Sequence, residues 1–156
     1  MSPTIGMIYP DHAAEDEYPW AAGLLDVQLP VAHIYGTDLH AVPELLDLGS
    51  PERLAGGAAE LAQYEPDAIV WACTSGSFVY GPKGVEDQIA ALADAAGVPA
   101  SSTSAAFAAA LAHLGVTTVA VAASYPHDVA SLFVDYLDAA GTRVVSMSSA
   151  GIDTAA

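Results

Sequence analysis

Basic side chains are almost missing from this sequence. Arg53, Lys83 and Arg143 are its three Lys and Arg residues, set against nineteen Asp and Glu, for a formal net charge of −16. Binding a phosphate backbone or an anionic bilayer surface depends on Lys and Arg displacing counterions, so neither nucleic acid nor a membrane is an expected partner. The acidity does not come from acidic runs, since only 14% of residues are charged. Cysteine is nearly as scarce: the single Cys73 excludes an internal disulfide and any cysteine-rich zinc site. No stretch reaches the ~18 uninterrupted apolar residues of a spanning helix. The opening MSPTIGMIYPDH lacks the basic segment of a secretory signal, so a cytoplasmic location is the expectation. Dinucleotide, P-loop and Gly-Xaa-Ser-Xaa-Gly motifs are absent too. His12, His33, His40, His113 and His127 offer no i, i+4 pair, so no metal is expected. Asp11, Glu15, Asp16 and Glu17 read as a solvated acidic loop rather than a cation site.

What is present is apolar. Hydrophobic residues make up 53% of 156, enough for the core of one ordinary domain and too many for a disordered chain. Short apolar runs at 4–9, 31–35, 68–72, 98–101, 117–122 and 143–147 read as strands. AIVWA at 68–72 is apolar throughout, as a strand covered on both faces is. Between the runs lie helical patterns. One opens with Ser50 as N-cap and Pro51 behind it and stops near Pro66. Others carry Val85, Ile89, Leu92 and Ala96, then Phe107, Leu111 and Leu114 after Ser104. The last carries Val129, Leu132, Phe133, Tyr136 and Leu137 after Ser124. Residues 11–20 read as loop, and 37–50 give no ordered pattern. Strand alternating with helix predicts an α/β protein: a doubly wound, mainly parallel sheet flanked by helices, in a single domain over 1–156. Ligands of such folds bind beyond the carboxyl ends of the strands, which selects the loops 10–20, 73–81, 101–104 and 123–127.

Cys73 stands in one of these loops, at the end of the clearest strand, followed by Thr74, Ser75, Gly76 and Ser77. Backbone N–H groups and hydroxyls in such a turn would lower a thiol's pKa and free the thiolate as a nucleophile. The same hydroxyls can hold a carboxylate, and Gly76 lets a ligand approach the backbone. The competing reading is a small buried hydrophobe, the common fate of a lone cysteine. His12 and His127 also follow strand ends and could line the site.

WACTSGSF, residues 71–78, resembles the first-half active-site turn of the maleate cis-trans isomerase and arylmalonate decarboxylase group, within the aspartate/glutamate racemase superfamily. IGMIYP at 5–10, the acidic segment Glu15-Asp16-Glu17, the lead-in Pro66–Val70, and Gly97-Val98-Pro99 with Ser102-Thr103-Ser104 resemble further family segments. So do Leu114-Gly115-Val116 and Ser124-Tyr125-Pro126. The resemblance implies a cofactor-independent isomerase, racemase or decarboxylase acting on a small carboxylic or dicarboxylic acid held between two similar halves, each supplying a thiol. It implies Cys73 as the first-half thiol, Thr74, Ser75 and Gly76 as the carboxylate cradle, and Tyr125 as a phenolic donor. Pro10 and Asp11 are the counterparts of the family's opening loop, which usually carries an Asn absent here. A cysteine at 73 favours isomerase or racemase chemistry, because decarboxylases of the group usually lack one there. The family's second thiol has no counterpart in this sequence, so the chain reads as part of a two-half enzyme. Its half-cleft predicts association, for instance as a homo-oligomer. The alternative is an incomplete α/β fragment or carboxylate-binding module.

Overall fold

A computed structural model describes residues 2–11, 17–36 and 38–154. Four parallel strands form the first sheet, in the order β2-β1-β3-β4: β1 (Ile5–Pro10), β2 (Val31–Ile34), β3 (Ala68–Trp71) and β4 (Ala100–Ser102). β5 (Thr118–Ala123) and β6 (Arg143–Ser149) pair in parallel as a separate two-stranded sheet. The expected α/β class holds, with its strands divided between two sheets. Short strands joined by helices can lie parallel only if each connection crosses over, which is what the alternating pattern encodes.

Three helices lie where the sequence predicts none, the third of them a single turn described below. α1 (Glu17–Leu25) has Pro19 in its first turn, where the missing N–H costs nothing. It buries none of its residues, so it lacks the amphipathic stripe that would have revealed it. α2 (Val42–Leu48) likewise has a proline in its first turn, Pro43, and buries only Leu45 and Leu48. α3 (Pro51–Leu61) begins where Ser50 and Pro51 predict, although the Ser50 side chain makes no capping bond. It then tightens into a 3-10 turn at Ala62–Tyr64. α3 lies directly on the sheet: a Cβ at Gly57 would stand 2.9 Å from Ile8 and 3.0 Å from Ile34.

α4 (Ser75–Phe78) is one turn, in the segment read as a loop. α5 (Gly81–Ala96) follows and closes at Gly97, whose φ of +70° favours a residue without Cβ. α6 (Thr103–His113) is capped by Ser102, two residues before the expected Ser104. α7 (His127–Ala139) buries Val129, Ala130, Phe133, Tyr136 and Leu137, close to the predicted stripe. The core runs from Ile8, Leu54, Leu61, Ile69 and Trp71 through Phe78 to Val129 and Phe133, so both sheets share it. Among the described residues, no helix is long and apolar enough to cross a membrane.

Candidate active site

The strand register explains the placement of the site. β1 pairs with β3 so that Ile8 lies opposite Trp71, and the Ala72 N–H continues the ladder to the Ile8 carbonyl at 2.9 Å. β1 runs on to Pro10, and Cys73 follows the end of β3 by two residues, so both stand at the carboxyl ends of neighbouring strands. Asp11 turns back toward β2, its N–H donating to the Ile34 carbonyl at 2.8 Å. Pro10, Asp11 and Cys73 therefore share the carboxyl edge of the first sheet. His12, Glu15 and Asp16 lie outside the described residues.

After β3 the chain bends at once into α4. The Gly76 N–H donates to Cys73 Sγ at 3.4 Å, and Ser75 Oγ stands 3.8 Å from the same sulfur. The turn is braced from β4 and α6. Ser104 Oγ donates to the Thr74 carbonyl at 2.8 Å, and Thr103 Oγ1 donates to the Trp71 carbonyl at 3.4 Å. Ser77 Oγ donates to Ser102 Oγ at 2.9 Å, and that oxygen also accepts from the Ala105 N–H. Ser75, Ser77, Ser102 and Ser104 are all buried. Four small hydroxyls in an interior are tolerable because each has a partner.

Tyr125 comes from the second sheet, in the loop after β5. Its phenol is pushed above its ordinary pKa, first by burial and then by the nearby Cys73, while hydrogen bonds to Ser75 and Thr74 oppose the rise. The thiol, the phenol and both hydroxyls thus act on one another in one place. The Tyr125 ring is fixed edge-on against Phe78, at 5.6 Å between centroids, and against His40, at 4.9 Å.

The thiol's electrostatics overturn one expectation. Cys73 sits above, not below, the ordinary thiol pKa. Burial is the largest cause. The Gly76 N–H, the Ser75 side chain and the Ser75 N–H act in the expected downward direction without cancelling it. The donors are legible in the sequence; the depth at which they work is not.

Three participants carry no signal in the sequence that assigns them to the site. His40 follows β2, and its Nδ1 bonds the Ile152 carbonyl at 2.9 Å, so that nitrogen carries the proton. Trp71 and Gln88 stand behind the turn: Trp71 Nε1 and Gln88 Nε2 both donate to the Gly76 carbonyl, at 3.1 and 2.9 Å. Trp71 reads as part of an apolar strand and Gln88 carries no sequence signal, since long-range side-chain bonds leave no period. His127 is solvent-exposed at the start of α7. Among the described residues no group of three or more His, Cys, Asp or Glu side chains could hold a metal ion.

Comparison with known proteins yields a family and a set of structures. The arylmalonate decarboxylase family model matches residues 47–155. The maleate isomerase Iso of Pseudomonas putida S16 superposes with a TM-score of 0.86 at 20% identity, over 99% of this chain and 66% of that one. A Nocardia farcinica maleate cis-trans isomerase, a cysteine-to-serine mutant with a covalently bound succinylcysteine intermediate, gives 0.86 at 19% identity over 99% and 66%. A liganded arylmalonate decarboxylase double mutant, with one glycine changed to cysteine and one cysteine to serine, gives 0.84 at 26% identity over 98% and 64%. The chain spans just under two thirds of the length of these structures. A search of curated proteins returns no match.

Proposed function

We propose, since the chain belongs to the arylmalonate decarboxylase family, that it carries the thiol-bearing wall of a cofactor-independent enzyme for small carboxylic acids, with cis-trans isomerisation of a dicarboxylate as its chemistry. The observation that carries the reading is the convergence of Cys73, Thr74, Ser75 and the Tyr125 phenol at the carboxyl edge of β3.

In this reading the hydroxyls of Thr74 and Ser75 and the Tyr125 phenol donate to a substrate carboxylate, and the Pro10–Asp11 edge forms the adjoining wall. The Cys73 thiolate adds to the carbon–carbon double bond. An S–C bond forms, and the π pair moves onto the carbon next to the other carboxylate and is delocalised into it. The former double bond, now single, rotates. The pair then returns, the S–C bond breaks, and the trans acid leaves with the thiolate regenerated. No atom is gained or lost, which is why no cofactor is needed. Two points support thiol addition over decarboxylation. A cysteine occupies position 73, and a neighbour of the same fold is named for a succinylcysteine intermediate.

The test is mass spectrometry of the chain incubated with maleate, with peptide mapping. The expected result is an adduct on Cys73 equal in mass to the acid, absent in Cys73→Ser. Maleate and succinate should also slow iodoacetamide labelling of Cys73. No adduct together with no protection would overturn the assignment. Carbon dioxide release from an arylmalonate without maleate conversion would move the chemistry to decarboxylation.

A further inference from the structure

We propose that Gln88 is a positioning residue for the Cys73 thiol, acting through the backbone of Gly76; the proposal rests on the reading of Cys73 given above. Gln88 projects from α5 and is 5% exposed. Its Nε2 donates to two carbonyls from different elements, Gly49 at 2.8 Å and Gly76 at 2.9 Å. Two carbonyl acceptors demand the amide NH2 on that side, so the amide orientation is fixed. Its Oε1 is left buried with no hydrogen-bond partner among the described residues. A buried acceptor left unmatched is a stability cost that an apolar side chain of the same length would avoid. Packing alone therefore does not account for a glutamine here. The two bonds do.

Gly76 is what those bonds hold. Its carbonyl receives Gln88 Nε2 and Trp71 Nε1, while its N–H donates to Cys73 Sγ at 3.4 Å. Steric walls complete the clamp. A Cβ on Gly76 would lie 2.8 Å from the Trp71 ring and 3.3 Å from Sγ, and a Cβ on Gly49 would lie 2.0 Å from the Gly76 oxygen. The carbonyl and the N–H of Gly76 lie on successive peptide planes joined at its Cα, so with the carbonyl tied from behind and Trp71 and Cys73 walling the Cα, the residue has little room to swing its N–H off the sulfur. That N–H is one of the few groups favouring the thiolate in a buried setting, so loosening the carbonyl weakens the nucleophile at a distance.

The experiment measures iodoacetamide labelling of Cys73 from neutral to alkaline pH in the whole chain and three variants. Gln88→Met keeps length and loses both donors. Gly49→Ala keeps the glutamine but sets a Cβ 2.0 Å from the Gly76 oxygen and 2.7 Å from Gln88 Nε2, and so forces that bond apart. Ile89→Ala, on the same helix, is the control for mere destabilisation. Gln88→Met and Gly49→Ala should each move the labelling profile to higher pH and slow labelling at pH 7 by about three- to tenfold, a part of what a hydrogen bond to a charged group contributes. Ile89→Ala should lower the Tm without moving the profile. Should Gln88→Met fail to fold, Gly49→Ala carries the same comparison. A wild-type profile in the folded variants, or an equal displacement in Ile89→Ala, would overturn the proposal. The readout is independent of turnover. Loss of the catalytic reading, seen as no maleate adduct, leaves this coupling measurable, and an unmoved profile leaves the catalytic reading intact.

Discussion

Replacing Ser102 by alanine probes a fully buried polar joint beneath the thiol turn. Both Ser102 and Ser77 are 0% exposed, and Ser77 Oγ donates to Ser102 Oγ at 2.9 Å. The Ser102 oxygen also accepts from the Ala105 N–H at 3.3 Å, which makes it the cap of α6. Ser102→Ala therefore does two things. It removes a cap, at about 1 kcal/mol. It also strands the Ser77 hydroxyl in a dry interior, at about 1–3 kcal/mol. The expected loss is about 2–4 kcal/mol, or roughly 5–15 °C in Tm for a chain of this size. Ser77→Ala deletes the donor and leaves the cap, so about 1 kcal/mol is expected. The double variant loses the cap but strands nothing. Its cost should fall short of the sum of the single costs by about 1 kcal/mol or more. Urea unfolding of the four proteins, analysed by linear extrapolation, gives each value. Strict additivity, or equal costs for the two single variants, would refute the joint.

Two further predictions follow from the titrating groups. Because burial holds the Cys73 thiol above its ordinary value, iodoacetamide should label it more slowly at pH 7 than a small free thiol, the gap closing as pH rises; faster labelling at pH 7 would contradict the burial argument. Stability should also fall on the alkaline side. Cys73 and Tyr125 are raised in the folded chain, burial leading in each case, so the unfolded chain sheds these protons first as pH climbs. Their contribution is complete below the unfolded thiol range and is lost as pH rises through the folded values. Calorimetry across that window should show a declining Tm, with the early part of the decline missing in Cys73→Ala; a Tm that rises there would reverse the sign.

What the sequence made legible tracks how local each signal is. β3 was plain because a strand covered on both faces is apolar at every position, and Cys73 followed from its place at the end of it. α7 was plain because Val129, Phe133 and Tyr136 keep a helical stripe against one core. α1 and α2 are not legible because α1 buries nothing and both carry a proline in the first turn, which reads as a breaker before it reads as a first-turn residue. The N-cap of α6 slipped from Ser104 to Ser102 for a tertiary reason. In a run of Ser-Ser-Thr-Ser any hydroxyl could cap, and Ser104 is used by the Thr74 carbonyl instead. The thiol's pKa direction was misjudged because local donors are visible in a sequence and burial depth is not. His40 was missed for the same reason: it meets Tyr125 only after the chain has returned from β6.

Tyr125 shows why the site depends on more than the turn that carries Cys73. Cys73, Thr74 and Ser75 belong to the four-stranded sheet, while Tyr125 leaves the two-stranded one, and two strands alone make a weak platform. Its position is secured by contacts that cross between the sheets. Phe78 of α4 meets Tyr125 on one side and Phe133 of α7 on the other, the second pair 5.1 Å apart, and Phe133 in turn meets Phe107 of α6 at 5.4 Å. The segment after β6 adds a polar tie. The Ile152 N–H donates to the Ser124 carbonyl at 2.8 Å, and the Ile152 carbonyl accepts from His40, whose ring abuts Tyr125. The phenol is thus located by an aromatic row and a backbone tether rather than by its own strand. The distance between phenol and thiol is set by packing across the joint of the two sheets. Changes in that joint, remote from Cys73 in sequence, should therefore act on the site through Tyr125.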